Sequence, residues 1–140
     1  MKYLLDTNAV SEYRKKSSAN AGFQSWARAQ QTSDLAISAL TLLELEIGIH
    51  QLLHRNDQSQ ALQIRNWFDG VIVPMFEGRT LPVDDAVSRR CAQFHVPDPK
   101  PPIDALIAAT AVSNGLVLVT RNVADFRGID VPVVTPWSTP

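Results

Sequence analysis

The chain has 140 residues, 45% of them apolar and 19% charged, the balance of one globular domain with a real core. Its formal net charge of −1 gives no global basic field to announce nucleic acid, and the lone Cys91 excludes an internal disulfide framework and suits a reducing cytoplasm. No apolar run approaches the ~20 residues that a membrane helix needs, and Met1-Lys2-Tyr3-Leu4-Leu5-Asp6 turns acidic too early for a signal peptide, so the expected protein is cytoplasmic and makes no use of a membrane.

Tyr3-Leu4-Leu5 reads as a short buried strand, followed by a polar helix from about Ala9 to Lys16 and a second helix from about Asn20 to Gln31. Leu35-Ala36-Ile37 reads as the next strand, and apolar residues at helical spacing predict a long helix over Leu40 to Leu53. The stretch from about Gln58 to Phe76 is predicted helical for much of its length, with an irregular end at Pro74. Thr80-Leu81-Pro82-Val83 reads as an edge strand, where proline is tolerated, and Asp85 to Phe94 as a helix. The run Pro97 to Pro102 is a stiff loop, and from Pro102 a small-residue helix runs to Ser113 and stops at Asn114-Gly115. Leu116 to Thr120 is the clearest buried strand, and Val131 to Val134 is the last. Strands alternating with helices predict a single-domain α/β fold over residues 1–140, with a mainly parallel central sheet flanked by helices.

In such folds ligands bind outside the carboxyl ends of the strands, where this sequence places acids. Asp6 ends the first strand and Asp104 opens the helix after Pro102. Glu44 lies near the start of the long helix, while Glu46 sits roughly 200° further around it. Ionised carboxylates gathered at one edge repel by roughly 4 kcal/mol per pair at ~4 Å and an effective dielectric near ~20, so the constellation calls for a divalent cation and points to phosphodiester chemistry. Each acid also has a plain structural reading. Asp6 suits a helix N-cap, Thr41-Leu42-Leu43-Glu44 has the pattern of a capping box, and Asp104 is favoured by the helix dipole. Beyond Thr120, Asn122 suits an N-cap and Asp125 the first turn after it.

The segments Tyr3-Leu4-Leu5-Asp6-Thr7-Asn8, Ile37 to Gly48, Pro102 to Ala111 and Leu118 to Phe126, in this order and spacing, resemble the PIN-domain ribonucleases, in particular the VapC and FitB-like toxins of bacterial toxin–antitoxin pairs. The resemblance implies a PIN-like fold and carries the family's acidic positions onto Asp6, Glu44, Asp104 and Asn122. Asparagine at the fourth position departs from the strictest pattern and offers a carbonyl oxygen without charge, so Asp125 is the alternative source of the missing carboxylate.

The implied reaction is hydrolysis of an RNA phosphodiester with Mg²⁺ or Mn²⁺. Asp6 and Asp104 would be the principal ligands, Glu44 would bind metal or orient water, and Thr7 and Thr120 would support the network. Arg14, Lys15, Lys16, Lys100 and Arg121 are candidates for the RNA backbone, and Trp26, Trp67 and Trp137 for base stacking or for core packing. His50 and His54 form H-x-x-x-H, with Gln51 where a metalloprotease needs glutamate. The resemblance also implies a VapB-like antitoxin and a homodimer. Phe23–Trp26 and Leu62–Phe68 offer either a partner groove or core packing. Two competing readings are an aspartyl-nucleophile phosphatase, against which Asn8 stands where a second catalytic aspartate is common, and a non-catalytic protein that keeps the fold and binds RNA or a partner.

Overall fold

Three short apolar strands occupy the centre of the molecule, and their successive side chains point to opposite faces of the sheet. The computed structural model describes residues 1–137. Strands β1 (Tyr3–Leu5), β2 (Leu35–Ser38), β3 (Thr80–Leu81), β4 (Val117–Val119) and β5 (Val133–Val134) form a sheet in the order β3-β2-β1-β4-β5. Every pairing is parallel, so the expected mainly parallel sheet is parallel throughout the described residues. A sheet buried on both faces explains why the central strands lack polar alternation.

Among the described residues seven α-helical segments connect the strands: α1 (Thr7–Arg14), α2 (Ala21–Ala29), α3 (Ala39–His54), α4 (Gln58–Trp67), α5 (Val73–Met75), α6 (Asp85–Phe94) and α7 (Pro102–Ser113). Leu4, Ala36 and Leu118 face α6 and α7, packing with Val87, Cys91 and Phe94 and with Ala105 and Ala108. The alanines let α7 approach the sheet closely. On the other face Leu5, Ile37 and Val119 meet Ala9, Val10, Phe23, Ile72 and Phe76. Each of the six inward strand residues is fully buried, a contribution of roughly 1.5–3 kcal/mol for each Val, Leu or Ile among them. A smaller cluster of Ile49, Leu52, Ala61 and Phe68 joins α3 to α4.

Several boundaries differ from the sequence reading, each for a local reason. Helix α1 starts at Thr7, two residues early, because Asp6 caps it by accepting from the Ala9 N–H at 2.8 Å. Helix α3 starts at Ala39 because Ser38 accepts from the Leu40 N–H at 3.0 Å; Thr41 is therefore no cap, and no capping box forms with Glu44. Asn20 caps α2, which ends at Ala29 rather than Gln31. The helical stretch from Gln58 is broken by a π turn over Phe68–Ile72 before α5, so Pro74 falls where the regular hydrogen-bond ladder is already displaced.

The paired parts of the edge strands are shorter than expected, at two residues each. Arg79 fastens the β3 side of the sheet: its guanidinium donates to the carbonyls of Thr32, Leu35 and Met75 and lies 5.5 Å from the centroid of the Phe76 ring.

Candidate active site

Register decides which residues meet. Leu5 pairs with Ile37 on one side and Val119 on the other, so Asp6, Ser38 and Thr120 emerge together at the carboxyl edge. The Asp6 N–H continues the ladder by donating to the Val119 carbonyl at 3.0 Å. From β1 the chain builds outward to β2 and β3, then returns to the opposite side of β1 for β4 and β5. That reversal at β1 is a topological switch point, where a crevice opens between diverging connections.

Asp6 is buried, and its cap to Ala9 fixes one carboxylate oxygen. Thr120, also buried, hydrogen-bonds the Asp6 side chain while accepting from the Asn122 N–H at 3.1 Å. Glu44 projects from the second turn of α3 to accept a hydrogen bond from Thr7 Oγ1 at 2.6 Å. Thr7 Oγ1 also lies 3.2 Å from Thr41 Oγ1. An ionised carboxylate only accepts, so the Thr7 proton goes to Glu44 and the Thr41 hydroxyl donates to Thr7. Sequence reading missed Thr41 in this role, although its position one helical turn before Glu44 was a usable signal. Asp104 sits half-buried in the first turn of α7.

Electrostatics tie these acids together. Burial first, and repulsion from Asp104 and Glu44 after it, push the Asp6 carboxyl up to about 6 against the pull of its hydrogen bonds from Thr120 and Ala9. Burial also raises Asp104, with added repulsion from Asp125 and then Glu44. Among the described residues no lysine, arginine or histidine forms a salt bridge with Asp6, Glu44, Asp104 or Asp125. Four acids therefore share one electrostatic environment without an internal counter-cation.

A PIN-domain family model matches residues 3–131. The chain belongs to the PIN-domain family. It is similar to toxin FitB of Neisseria gonorrhoeae, at 34% identity over 96% of this chain and 97% of that one. It is 30% identical to VapC ribonuclease Y4jK of Sinorhizobium fredii, over 96% of each. The crystal structure of FitAcB from Neisseria gonorrhoeae superposes with a TM-score of 0.85 at 31% identity, covering 98% of this chain and 99% of that one.

At the fourth acidic position of this PIN domain, the charge that reaches Asp104 is that of Asp125. Asn122 is exposed and lines a hollow of about 200 Å³ with Asn8, Ser11, Glu12, Lys15 and Arg121. The donors suit an oxygen-seeking ion. Among the described residues no three His, Cys, Asp or Glu side chains are grouped so as to hold a metal by themselves, so waters or substrate oxygens would have to complete the shell of any ion held here.

Other candidate residues of the PIN domain have structural partners. Glu46 is held bidentately by Arg65 at 2.5 and 2.9 Å, and His50 lies 3.5 Å from Glu46. Trp137 packs 4.9 Å from the Phe23 ring and donates to buried Glu12 at 2.8 Å, and Trp26 meets Tyr3 edge-on at 5.1 Å; neither ring is presented for stacking on bases. Phe23 and Phe68 are buried in two different clusters, so Phe23–Trp26 and Leu62–Phe68 do not join in one groove, and Leu62 stays 61% exposed on α4. Arg121 is exposed at the rim of the site, whereas Arg14, Lys15 and Lys16 lie at the other end of α1.

Proposed function

We propose that this PIN domain is a metal-dependent endoribonuclease, acting as the toxin of a toxin–antitoxin pair and hydrolysing RNA phosphodiester bonds with water. The observation that carries this reading is the set of acids at the switch point, which repel one another and have no salt-bridging cation among the described residues. The similarity to a VapC ribonuclease and to toxin FitB supports the substrate class and the toxin role. Similarity to FitAcB and to DNA-bound VapBC from Salmonella typhimurium supports a VapB-like antitoxin as partner. A homodimer and a cytoplasmic location complete the proposal.

Asp6, Glu44 and Asp104 would hold Mg²⁺ or Mn²⁺, with Asp125 nearer than Asn122 to the role of fourth acid. When bound, the ion supplies positive charge for the phosphate oxygens and lowers the pKa of water to within reach of neutral pH. Thr7 and Thr41 fix the direction of the Glu44 carboxylate, leaving its second oxygen to orient a water. Thr120 and the Ala9 N–H hold Asp6 in one rotamer, the preorganisation that such a site requires. Arg121, at the rim, faces the incoming phosphate backbone.

An aspartyl-phosphatase mechanism is disfavoured by the same geometry, because Asp6 is buried, caps α1 and is pushed toward its protonated form. Purified protein should cleave single-stranded RNA in Mg²⁺ or Mn²⁺, and lose that activity in EDTA and on Asp6→Ala or Asp104→Ala. Cleavage that survives both treatments would end this reading.

A further inference from the structure

An open cleft of about 900 Å³ lies away from the acids, between the end of α1 and the outer face of α4. Arg14, Lys15 and Lys16 line one wall, and Gln60, Gln63, Asn66 and Trp67 line the other. Its one carboxylate, Asp57, is engaged in capping α4 through the Gln60 N–H at 3.3 Å. A chain with a formal net charge of −1 thus gathers three cations at one cavity.

The opposite wall is built for polar recognition. Gln60, Gln63 and Trp67 recur at three- and four-residue spacing and share a helix face. Among the described residues the side-chain amides of Gln60, Gln63 and Asn66 make no hydrogen bond. Lys16 adopts a φ of 52°, a left-handed conformation uncommon for a residue with a side chain, and Gln24 secures it by donating to the Lys16 carbonyl at 2.7 Å. Lys15 keeps half of its side chain exposed while paired with Glu12 at 3.2 Å.

The cleft also connects with the acids. Lys15 lines both this cleft and the hollow that contains Asn8, Arg121 and Asn122, and that hollow adjoins Asp6 through Thr120 and the start of α1. The eight residues of α1 span about 12 Å at ~1.5 Å each, or about three stacked nucleotides at ~3.4 Å per step.

We propose that this cleft is a binding track for single-stranded RNA flanking the scissile bond, with Arg14, Lys15 and Lys16 on the phosphates and the α4 amides and Trp67 on unpaired bases. Such a division of labour is how unstacked RNA is read. The inference rests on the ribonuclease reading for its substrate class, but its test measures binding and is independent of cleavage.

The test is fluorescence anisotropy of a labelled single-stranded RNA of about twelve nucleotides, within the ~4–16 nucleotides of single-strand sites, titrated in EDTA at several salt concentrations. Lys16→Glu and Asn66→Glu probe the two walls, and Arg90→Glu, on exposed α6 surface outside the cleft, supplies a charge reversal elsewhere. Lys16→Glu should raise Kd at least about tenfold and flatten the salt dependence by about one phosphate contact. Asn66→Glu should weaken binding several-fold, and Arg90→Glu should stay within about twofold of wild type. Circular dichroism identifies any variant that fails to fold, and the other wall then decides.

Cleft variants that bind RNA as Arg90→Glu does would overturn the track while leaving the ribonuclease reading intact. Wild type that binds in the cleft but cuts no RNA in Mg²⁺ or Mn²⁺ would overturn the ribonuclease reading and keep the track. Absence of RNA binding in EDTA would overturn the track, and cleavage in Mg²⁺ or Mn²⁺ would decide the ribonuclease reading separately. Variants that retain RNA but no longer copurify with a co-expressed antitoxin would make the cleft a protein site, and the proposal would fall.

Discussion

Replacing Asp6 with asparagine should make the ion-free protein more stable while abolishing cleavage. Burial, then repulsion from Asp104 and Glu44, lifts the Asp6 carboxyl from the ordinary 3.8 to about 6. Between those values the folded chain holds a proton that the unfolded chain has released, so stability falls as pH climbs through the window, and the loss is complete above about 6. At ~1.4 kcal/mol per pH unit the gap is worth about 3 kcal/mol, and at 6% exposure little of it is screened by solvent. Asparagine still offers an oxygen to the Ala9 N–H and carries no charge, and the pull of the Thr120 hydrogen bond on the ionised form is already contained in the rise to about 6. A gain of about 3 kcal/mol at neutral pH follows. Urea unfolding in EDTA reads it directly, as a higher midpoint at unchanged slope. Acidification toward the ordinary aspartate value should erase the gain, and Mg²⁺ should raise the midpoint of wild type more than that of the variant. A variant no more stable than wild type at neutral pH, or a difference insensitive to acid, would refute the argument that Asp6 is held at an energetic cost.

Removing the hydroxyl behind Glu44 with Thr41→Val should lower kcat for RNA about tenfold, the equivalent of ~1.4 kcal/mol, with KM nearly unchanged. Thr41→Ser should restore most of the loss, and equal loss in both variants would assign Thr41 to packing alone. Arg79→Met leaves three backbone carbonyls without their donor and should cost about 3 kcal/mol in chemical denaturation; a cost under ~0.5 kcal/mol would show that water replaces it. Burial alone would raise Glu12, but hydrogen bonds from Trp137, the Asn20 N–H and Lys15 outweigh it and hold the carboxyl below 4.5. The stability this gives is present above 4.5 and lost as pH falls through the folded-state value. Trp137→Phe should therefore move the acid-unfolding midpoint to higher pH, and an unmoved midpoint would count against the contact.

The sequence revealed most where a single local rule decided the outcome. Helix α7 runs from Pro102 to Ser113 as read, because proline opens it and Asn114-Gly115 closes it. The central strands were legible as apolar runs because both faces are covered. The acids at Asp6, Glu44 and Asp104 were legible as a set through their placement at sheet edges. What escaped depended on partners distant in sequence. Ser38 caps α3, so the apparent capping box at Thr41 was an accident of spacing, and its hydroxyl serves Thr7 from 34 positions away. Trp137 stood open between base stacking and core packing, and only the fold reveals its bond to Glu12. No local signal in Phe68–Ile72 announced the π turn.

The contact between Glu12 and Trp137 also sets what the far end of the chain holds in place. Its partners are 125 positions apart, whereas Asp6, Glu44, Asp104 and Asp125 all precede Trp137. The helix that carries Thr7 and leads to Lys15 is thus fastened by a residue that follows every acid in the chain. Trimming the chain just before Trp137 would leave the acids in place while loosening the rod that joins them to the cationic cleft.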